Sequence, residues 1–369
     1  MADVDARPVA LDRRTFLAAS GATFVAGCAS TPRVRTPDMQ CLPRIDASPD
    51  RVVRTVAGLR PYRDSGFVVS SQMLDDSLLV HNYGHGGAGI TLSWGSSELA
   101  VNLGSIVDRG AAAVIGAGVM GLTTARLLQE RGQQVTLYTD KLPEETTSWV
   151  SGGQIHPASH YRGGAVTDGW RQQYAAAMAI SWKRFLALDP STYGIRWHDT
   201  YQQSRRAPPE WMRPYYPGFT MVEGPQNPFP LPHMQRYRTM YVEVPRFLTH
   251  SKADVLQAGG RIKVRRFETL ADVAALGEQL VFNCTGLGAR ELLGDTQLQP
   301  MRGQLAILQP DPRIDYAYSL SVGYMFPRPD GIILGGTFER GEERAVTTTG
   351  AIASILASHR QLNGESCAA

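Results

Sequence analysis

The stretch AAAVIGAGVMGLTTARLLQERGQQVTLYTDK (111–141) constrains this chain more than any other. An apolar run reaches Gly116, and Gly118 and Gly121 complete a GxGxxG turn. A helix-patterned stretch follows, and a second apolar run closes on Asp140 and Lys141. Strand, glycine turn, helix and strand form the unit of a parallel α/β sheet. Gly116 permits the tight turn, Gly118 lets the backbone approach a pyrophosphate, and Gly121 lets helix and strand pack closely. The helix start at Val119 and Met120 presents free N–H groups and a positive dipole end to phosphate. An acid after the next strand, Asp140, suits the ribose hydroxyls of an adenosine. A dinucleotide site is therefore expected.

The segment that follows, DKLPEETTSWVSGGQIHP, carries Thr146, Thr147 and Ser148 in a row and then Gly152 and Gly153. Hydroxyls and paired glycines beside a dinucleotide suit a second phosphate contact and the close approach of a flat ring. An NAD-linked enzyme has no need of them. A second glycine-rich turn, HNYGHGGAGITLSWG (81–95), lies upstream and also leads into a helix pattern. With 369 residues, 43% of them hydrophobic, the chain can build two domains or one two-part enzyme. A net charge of +3 gives no reason to expect nucleic acid. The four cysteines, at 28, 41, 284 and 367, match neither zinc spacing nor a disulfide framework, and no metal site is expected.

The N-terminus reads as a targeting segment. Arg13 and Arg14 precede an apolar run that ends Val25-Ala26-Gly27-Cys28. Paired arginines point to twin-arginine export. The ending resembles a bacterial lipobox, which implies lipidation of Cys28 and an anchored lipoprotein in the periplasm or at the cell surface. Residues 29–45 hold Pro32, Pro37 and Pro43 and read as a tether.

Five further stretches converge: AGLRPYRDSG (57–66), HNYGHGGAGITLSWG, VFNCTGLGARELLGD (281–295), PMRGQ (300–304) and YMFPRPDGIILGGTFERG (324–341). Together they resemble the D-amino-acid oxidase family of FAD enzymes. The resemblance implies a Rossmann-like FAD-binding domain with a mixed-sheet substrate domain, an α/β fold overall. The family opens on its dinucleotide turn and closes on the other two motifs, whereas here those two come first. The expectation is a circular permutation. It has a signal at 1–28, a linker at 29–45, substrate-domain segments at 46–77, 158–246 and 300–369, and FAD-binding segments at 78–157 and 247–299. Cys41 and Cys367 flank the new termini; a disulfide between them is one reading, two free thiols the other. Cys284 reads as core.

By the same resemblance, Arg60 binds the substrate carboxylate and Tyr324 adds a hydroxyl to it. The Gly87 carbonyl accepts from the substrate nitrogen. Gly86, Gly87, Gly89, Ile90 and Thr91 surround the flavin's polar edge, Phe267 meets the adenine side, and Thr285 and Gly286 complete the cofactor shell. Gln154, His156 and Phe326 line the substrate side-chain pocket, and the first two make a polar or acidic substrate side chain the expectation. His85 reads as structural. Arg63 is a second candidate cation. A family tyrosine is replaced by Leu320, for which Tyr316 or Tyr318 could compensate. The implied chemistry is hydride transfer from the Cα of a D-amino acid to flavin N5, with oxygen or another acceptor taking the electrons. The alternatives are a membrane-linked D-amino-acid or secondary-amine dehydrogenase of similar fold, and a non-catalytic FAD-binding lipoprotein.

Overall fold

The computed structural model describes residues 42–106, 110–158 and 160–362. All lie within one compact unit. The signal with Cys28, and both Cys41 and Cys367, fall outside the described residues.

The chain enters through β1 (Val52–Tyr62), which belongs to the second of two sheets, and then begins the first. β2 (Val68–Leu74) and β3 (Ser77–Tyr83) make a hairpin, and α1 (Gly89–Gly104) connects through residues 105–110 to β4 (Ala111–Ile115). α2 (Val119–Glu130) leads to β5 (Gln134–Thr139). After α3 (Asp168–Ala187), strands β6 (Ile195–Gln203), β7 (Thr220–Val222) and β8 (Met234–Val242) join the second sheet. β9 (Arg261–Val264) and β10 (Leu280–Asn283) return to the first. β11 (Gln299–Leu308), β12 (Tyr316–Leu320), β13 (Gly323–Arg328), β14 (Gly331–Gly335) and β15 (Glu339–Arg340) complete the second.

The first sheet runs β2-β3-β10-β4-β5-β9, parallel from β3 onward. Its strands are apolar runs rather than alternating patterns because both faces are covered. Phe282 stands in register with Val80 on one side and Val114 on the other, and all three are fully buried. One face packs on α1 and α2 across a seam of small polar groups. There Asn82 Nδ2 donates to Ser97 Oγ at 3.0 Å, and the Ser97 and Thr123 hydroxyls pair at 2.8 Å. Small hydroxyls let two helices approach closely while leaving few buried polar atoms unmatched.

The second sheet follows the order β1-β11-β14-β13-β12-β6-β8-β7. Its strands alternate with period two. Leu305, Ala317, Phe326 and Ile333 share one face; Ala306, Tyr318, Met325 and Leu334 face the other way, against the helix Thr349–Leu362. Ile45 and Ala47 are buried in that second cluster, and the Tyr316 hydroxyl donates to the Pro43 carbonyl at 2.8 Å. The tether expected over 29–45 therefore gives way to packed chain by Pro43. Apolar side chains after the proline have a hydrophobic surface to cover. No helix among the described residues is long and apolar enough to cross a membrane.

Candidate active site

The loops after β3, β4, β5 and β10 all open at the carboxyl ends of the parallel strands. This is where open α/β sheets bind ligands. They line one cavity of about 910 Å³, whose other wall comes from β1, β11 and the β12–β13 hairpin. That size lies near the top of the range of roughly 300–1,000 Å³ usual for ligand sites.

Gly116 has φ of +109°, and a Cβ there would lie 2.5 Å from the Cys284 carbonyl oxygen. Gly121 does not line the cavity. A Cβ on it would stand 1.8 Å from the Gly116 oxygen, so it serves the packing of α2 on its own turn. Gly118, Val119 and Met120 do line it. No side chain of the N-cap residue closes α2, and the Val119 N–H donates to Ser148 Oγ at 3.1 Å. Ser148 thus ties the hydroxyl segment to the helix start, with Thr146, Thr147, Gly152 and Gly153 also on the cavity wall. Asp140 and Lys141 follow β5, and Asp140 is exposed with no ion pair among the described residues. Phe267 packs edge-on against Tyr138 at 5.7 Å and carries the Arg265 guanidinium at 4.6 Å. Arg265 and Arg266 were not anticipated. They lie just past a strand too short for its register to be read from sequence.

At the second turn Gly86 has φ of +53°, and Gly86, Gly87, Gly89 and Ile90 line the cavity at the start of α1. Ala88 at its N-cap offers no side-chain acceptor, so no N-cap side chain satisfies the first N–H groups of α1. Thr91, expected at the flavin, does not line the cavity. Its hydroxyl donates to the Gln154 carbonyl at 3.2 Å and accepts from the His156 N–H at 3.1 Å, fastening the pocket wall to α1. His85 stacks in parallel on Phe67 at 4.9 Å; burial, with His160 nearby, pulls its pKa down to about 3. Burial likewise holds His156 at about 4, and its Nε2 meets the Tyr216 hydroxyl. Gln154 Nε2 donates to the Tyr241 hydroxyl at 2.9 Å. Thr285 and Gly286 lie on the wall beyond β10 together with Cys284, whose thiol burial pushes up to about 12.

Arg60 projects from β1 into the cavity. It has no acidic partner among the described residues; its Nη1 donates to the Thr337 carbonyl at 3.2 Å. A Cβ on Gly303 would lie 2.3–2.5 Å from the guanidinium, and the Phe338 ring stands 4.7 Å from its carbon. Tyr324 stacks on Phe326 at 4.7 Å, and Phe326 fits against Gly152, where a Cβ would be 2.8 Å away. The other candidates are placed elsewhere. Arg63 pairs with Asp295 at 3.0 Å, which also accepts from the Tyr83 hydroxyl. Tyr316 and Tyr318 are buried on the far face of their sheet, where Tyr318 meets His359 at 2.6 Å. Neither compensates for Leu320, which itself lines the cavity.

Comparison with known proteins accords with this geometry. The family model DAO, FAD dependent oxidoreductase, matches residues 37–103 and 111–362. A D-amino-acid oxidase of Rubrobacter xylanophilus is 32% identical over 244 residues, 64% of this chain and 72% of that protein. Human D-aspartate oxidase is 29% identical over 248 residues, 64% of this chain and 71% of that protein. In fold, the chain resembles the crystal structure of glycine oxidase from Bacillus cereus, with a TM-score of 0.52 at 15% identity over 67% of this chain and 76% of that one. The residues fit the cofactor: a helix start without an N-cap side chain and a hydroxyl row for the pyrophosphate, a free carboxylate for ribose, and a second uncapped helix start beside the remaining space. The chain therefore belongs to the DAO family of FAD-dependent oxidoreductases and is an enzyme that uses FAD.

Proposed function

We propose that this enzyme deaminates D-amino acids with neutral side chains. The observation that carries the reading is Arg60, a guanidinium without an acidic partner among the described residues, set in the cavity wall beside Tyr324. A planar fork of donors suits a carboxylate bidentately. The names of the two relatives support an amino acid of D configuration.

FAD held by the cavity residues would supply the two-electron oxidant for the substrate Cα–N bond, and oxygen would regenerate it with release of hydrogen peroxide. The chain's part is to bind and orient. Arg60 and the Tyr324 hydroxyl hold the carboxylate, and the Gly87 carbonyl accepts from the substrate nitrogen. The N–H groups opening α1 would favour negative charge at that end of the cavity. The substrate loses its Cα hydrogen and an N–H proton to become the imine, which water hydrolyses to the 2-oxo acid and ammonia. An acidic side chain would need a second cation beside Arg60. Arg63 is committed to Asp295 and burial keeps His156 neutral. The polar wall of Gln154 and His156 therefore suits a neutral side chain.

Circular permutation and export belong to the same reading. The family match divides at 103 and 111, the junction where α1 runs into β4 through residues 105–110. A gene re-ordered to start at residue 110, with residue 362 joined to residue 43, should yield the same yellow, active enzyme; an insoluble product counts against permutation. Arg13, Arg14 and Cys28 support twin-arginine export and lipidation, for which Cys28→Ser should move the enzyme from the membrane to the soluble fraction.

The test of function is oxygen uptake by the purified holoenzyme with matched D- and L-amino acids. Uptake with neutral D-amino acids and peroxide in equal amount is expected. Uptake only with L-amino acids, or with an artificial acceptor in place of oxygen, overturns it.

A further inference from the structure

Phe338 is an anomaly by ordinary packing rules. It is a large apolar side chain left 55% exposed, on a segment that is otherwise tightly held. On one side of it, the Thr337 hydroxyl accepts from the Gln304 N–H at 3.1 Å. On the other, the Glu339 carboxylate accepts from Gln304 Nε2 at 2.7 Å and from Arg302 Nε at 2.8 Å. β11 therefore anchors the backbone before and after a phenyl ring that no core requires. The ring faces a cation: the Arg60 guanidinium stands 4.7 Å from its centroid.

The same guanidinium rests on Gly303. A Cβ there would fall 2.3 Å from Nη2, 2.5 Å from Nη1 and 2.5 Å from the central carbon. Near-equal approach to three guanidinium atoms means that the missing side chain would land on the flat face of the group. Arg60 is therefore restrained on its face by a backbone with no side chain, near its carbon by a phenyl ring, and at Nη1 by the Thr337 carbonyl at 3.2 Å.

We propose that Gly303 and Phe338 are positioning residues for Arg60, fixing the plane of its guanidinium so that the free edge meets the substrate carboxylate already oriented. A free arginine side chain loses much of its rotamer freedom on being held in one geometry. A seat that imposes this order before substrate arrives removes that cost from binding. This inference rests on the carboxylate-binding role of Arg60 given above. It adds two residues of the cavity wall whose part is to act through Arg60.

The test uses holoenzyme with bound FAD and a simple carboxylate that cannot be oxidised, benzoate, whose binding is read as a perturbation of the flavin spectrum. Gly303→Ala is suited to the purpose because the atoms its Cβ meets belong to the end of a flexible side chain. Arg60 moves and the fold does not. Benzoate binding should weaken about tenfold or more, as expected for a misplaced orienting group, with flavin content retained and KM rising more than kcat falls. Phe338→Leu should weaken it about two- to fivefold, the scale of an exposed cation–π contact, and Phe338→Tyr should restore it. In an Arg60→Ala background, Phe338→Leu should add nothing. Unchanged benzoate affinity in both Gly303→Ala and Phe338→Leu overturns the proposal while leaving the functional reading intact. So does an equal loss from Phe338→Leu with and without Arg60. A wild-type holoenzyme that binds no carboxylate and turns over no D-amino acid overturns the functional reading, and this proposal with it.

Discussion

In the 116–121 turn the glycines answer to the protein's own backbone. Gly116 presses on the Cys284 carbonyl and Gly121 on Gly116, at virtual Cβ distances of 2.5 and 1.8 Å. In the 84–89 turn, a Cβ on Gly84 would meet the flexible Arg63 side chain at 2.8 Å, and Gly89 could carry one with nothing nearer than 3.9 Å. Both turns open a helix at the carboxyl end of a parallel strand and both border the same cavity. The first is a structural joint that we propose also meets pyrophosphate. The second presses on no backbone at Gly84 or Gly89, and at Gly89 it has space to spare beside the cavity. Motif likeness alone hides this difference, and the neighbouring atoms expose it.

The comparison can be broken most severely at Gly121. Gly121→Ala drives a methyl into a backbone oxygen, and overpacking of this kind costs about 3 kcal/mol or more. Expression should yield little folded yellow protein, and a variant with wild-type denaturant midpoint and flavin content would contradict the joint role. Next comes Arg60→Ala, on the substrate side. Fold and flavin should survive, while KM for D-amino acids rises by the equivalent of about 2–5 kcal/mol, the scale of a truncated buried charge partner. Steady-state kinetics on flavin-matched protein decides it.

Acid sharpens the contrast further. His85 and His160 are held near 3 and His156 near 4 by burial, all in or beside the segments around the second turn. The unfolded chain takes up protons at these residues from about pH 6.5 downward while the native one does not. Stability is therefore complete above that value and falls by about 1.4 kcal/mol per pH unit per histidine as pH drops toward 4. Thermal melts from pH 7 to 4.5 should show this, and His156→Gln should flatten the slope. The smallest effect is expected at Gly89. Gly89→Ala meets only ordinary contacts and improves helix propensity by up to roughly 1 kcal/mol, so its apoprotein should be as stable as wild type or slightly more so. A large loss in a chemical melt would mean that the second turn is also a joint.

Much of this molecule was legible from the sequence, because short-range rules decide it. The GxGxxG turn, the buried parallel strands and Asp140 follow from local pattern. Arg60 and Tyr324 stood out because their motifs carry the family likeness. What escaped depends on contacts across long sequence separations. Gly303 was visible inside PMRGQ, yet its task appears only once β11 is set beside β1, where it lies under a side chain from residue 60. Phe338 lay inside YMFPRPDGIILGGTFERG with nothing in the sequence to single it out. Arg63, three residues from Arg60, was the second candidate, until Asp295 claimed it from 232 positions away. Tyr316 and Tyr318 had the right chemistry and the wrong face of their sheet.

Both turns frame one cavity, and we propose Arg60 as the carboxylate fork on its wall. Anaerobic mixing of the purified yellow enzyme with paired D- and L-amino acids tests it most directly. Neutral D-amino acids should bleach the flavin absorbance, their L-enantiomers should leave it unchanged, and Arg60→Ala at the same concentrations should stay yellow. Bleaching by the L-enantiomers, or bleaching of Arg60→Ala as readily as wild type, would contradict it.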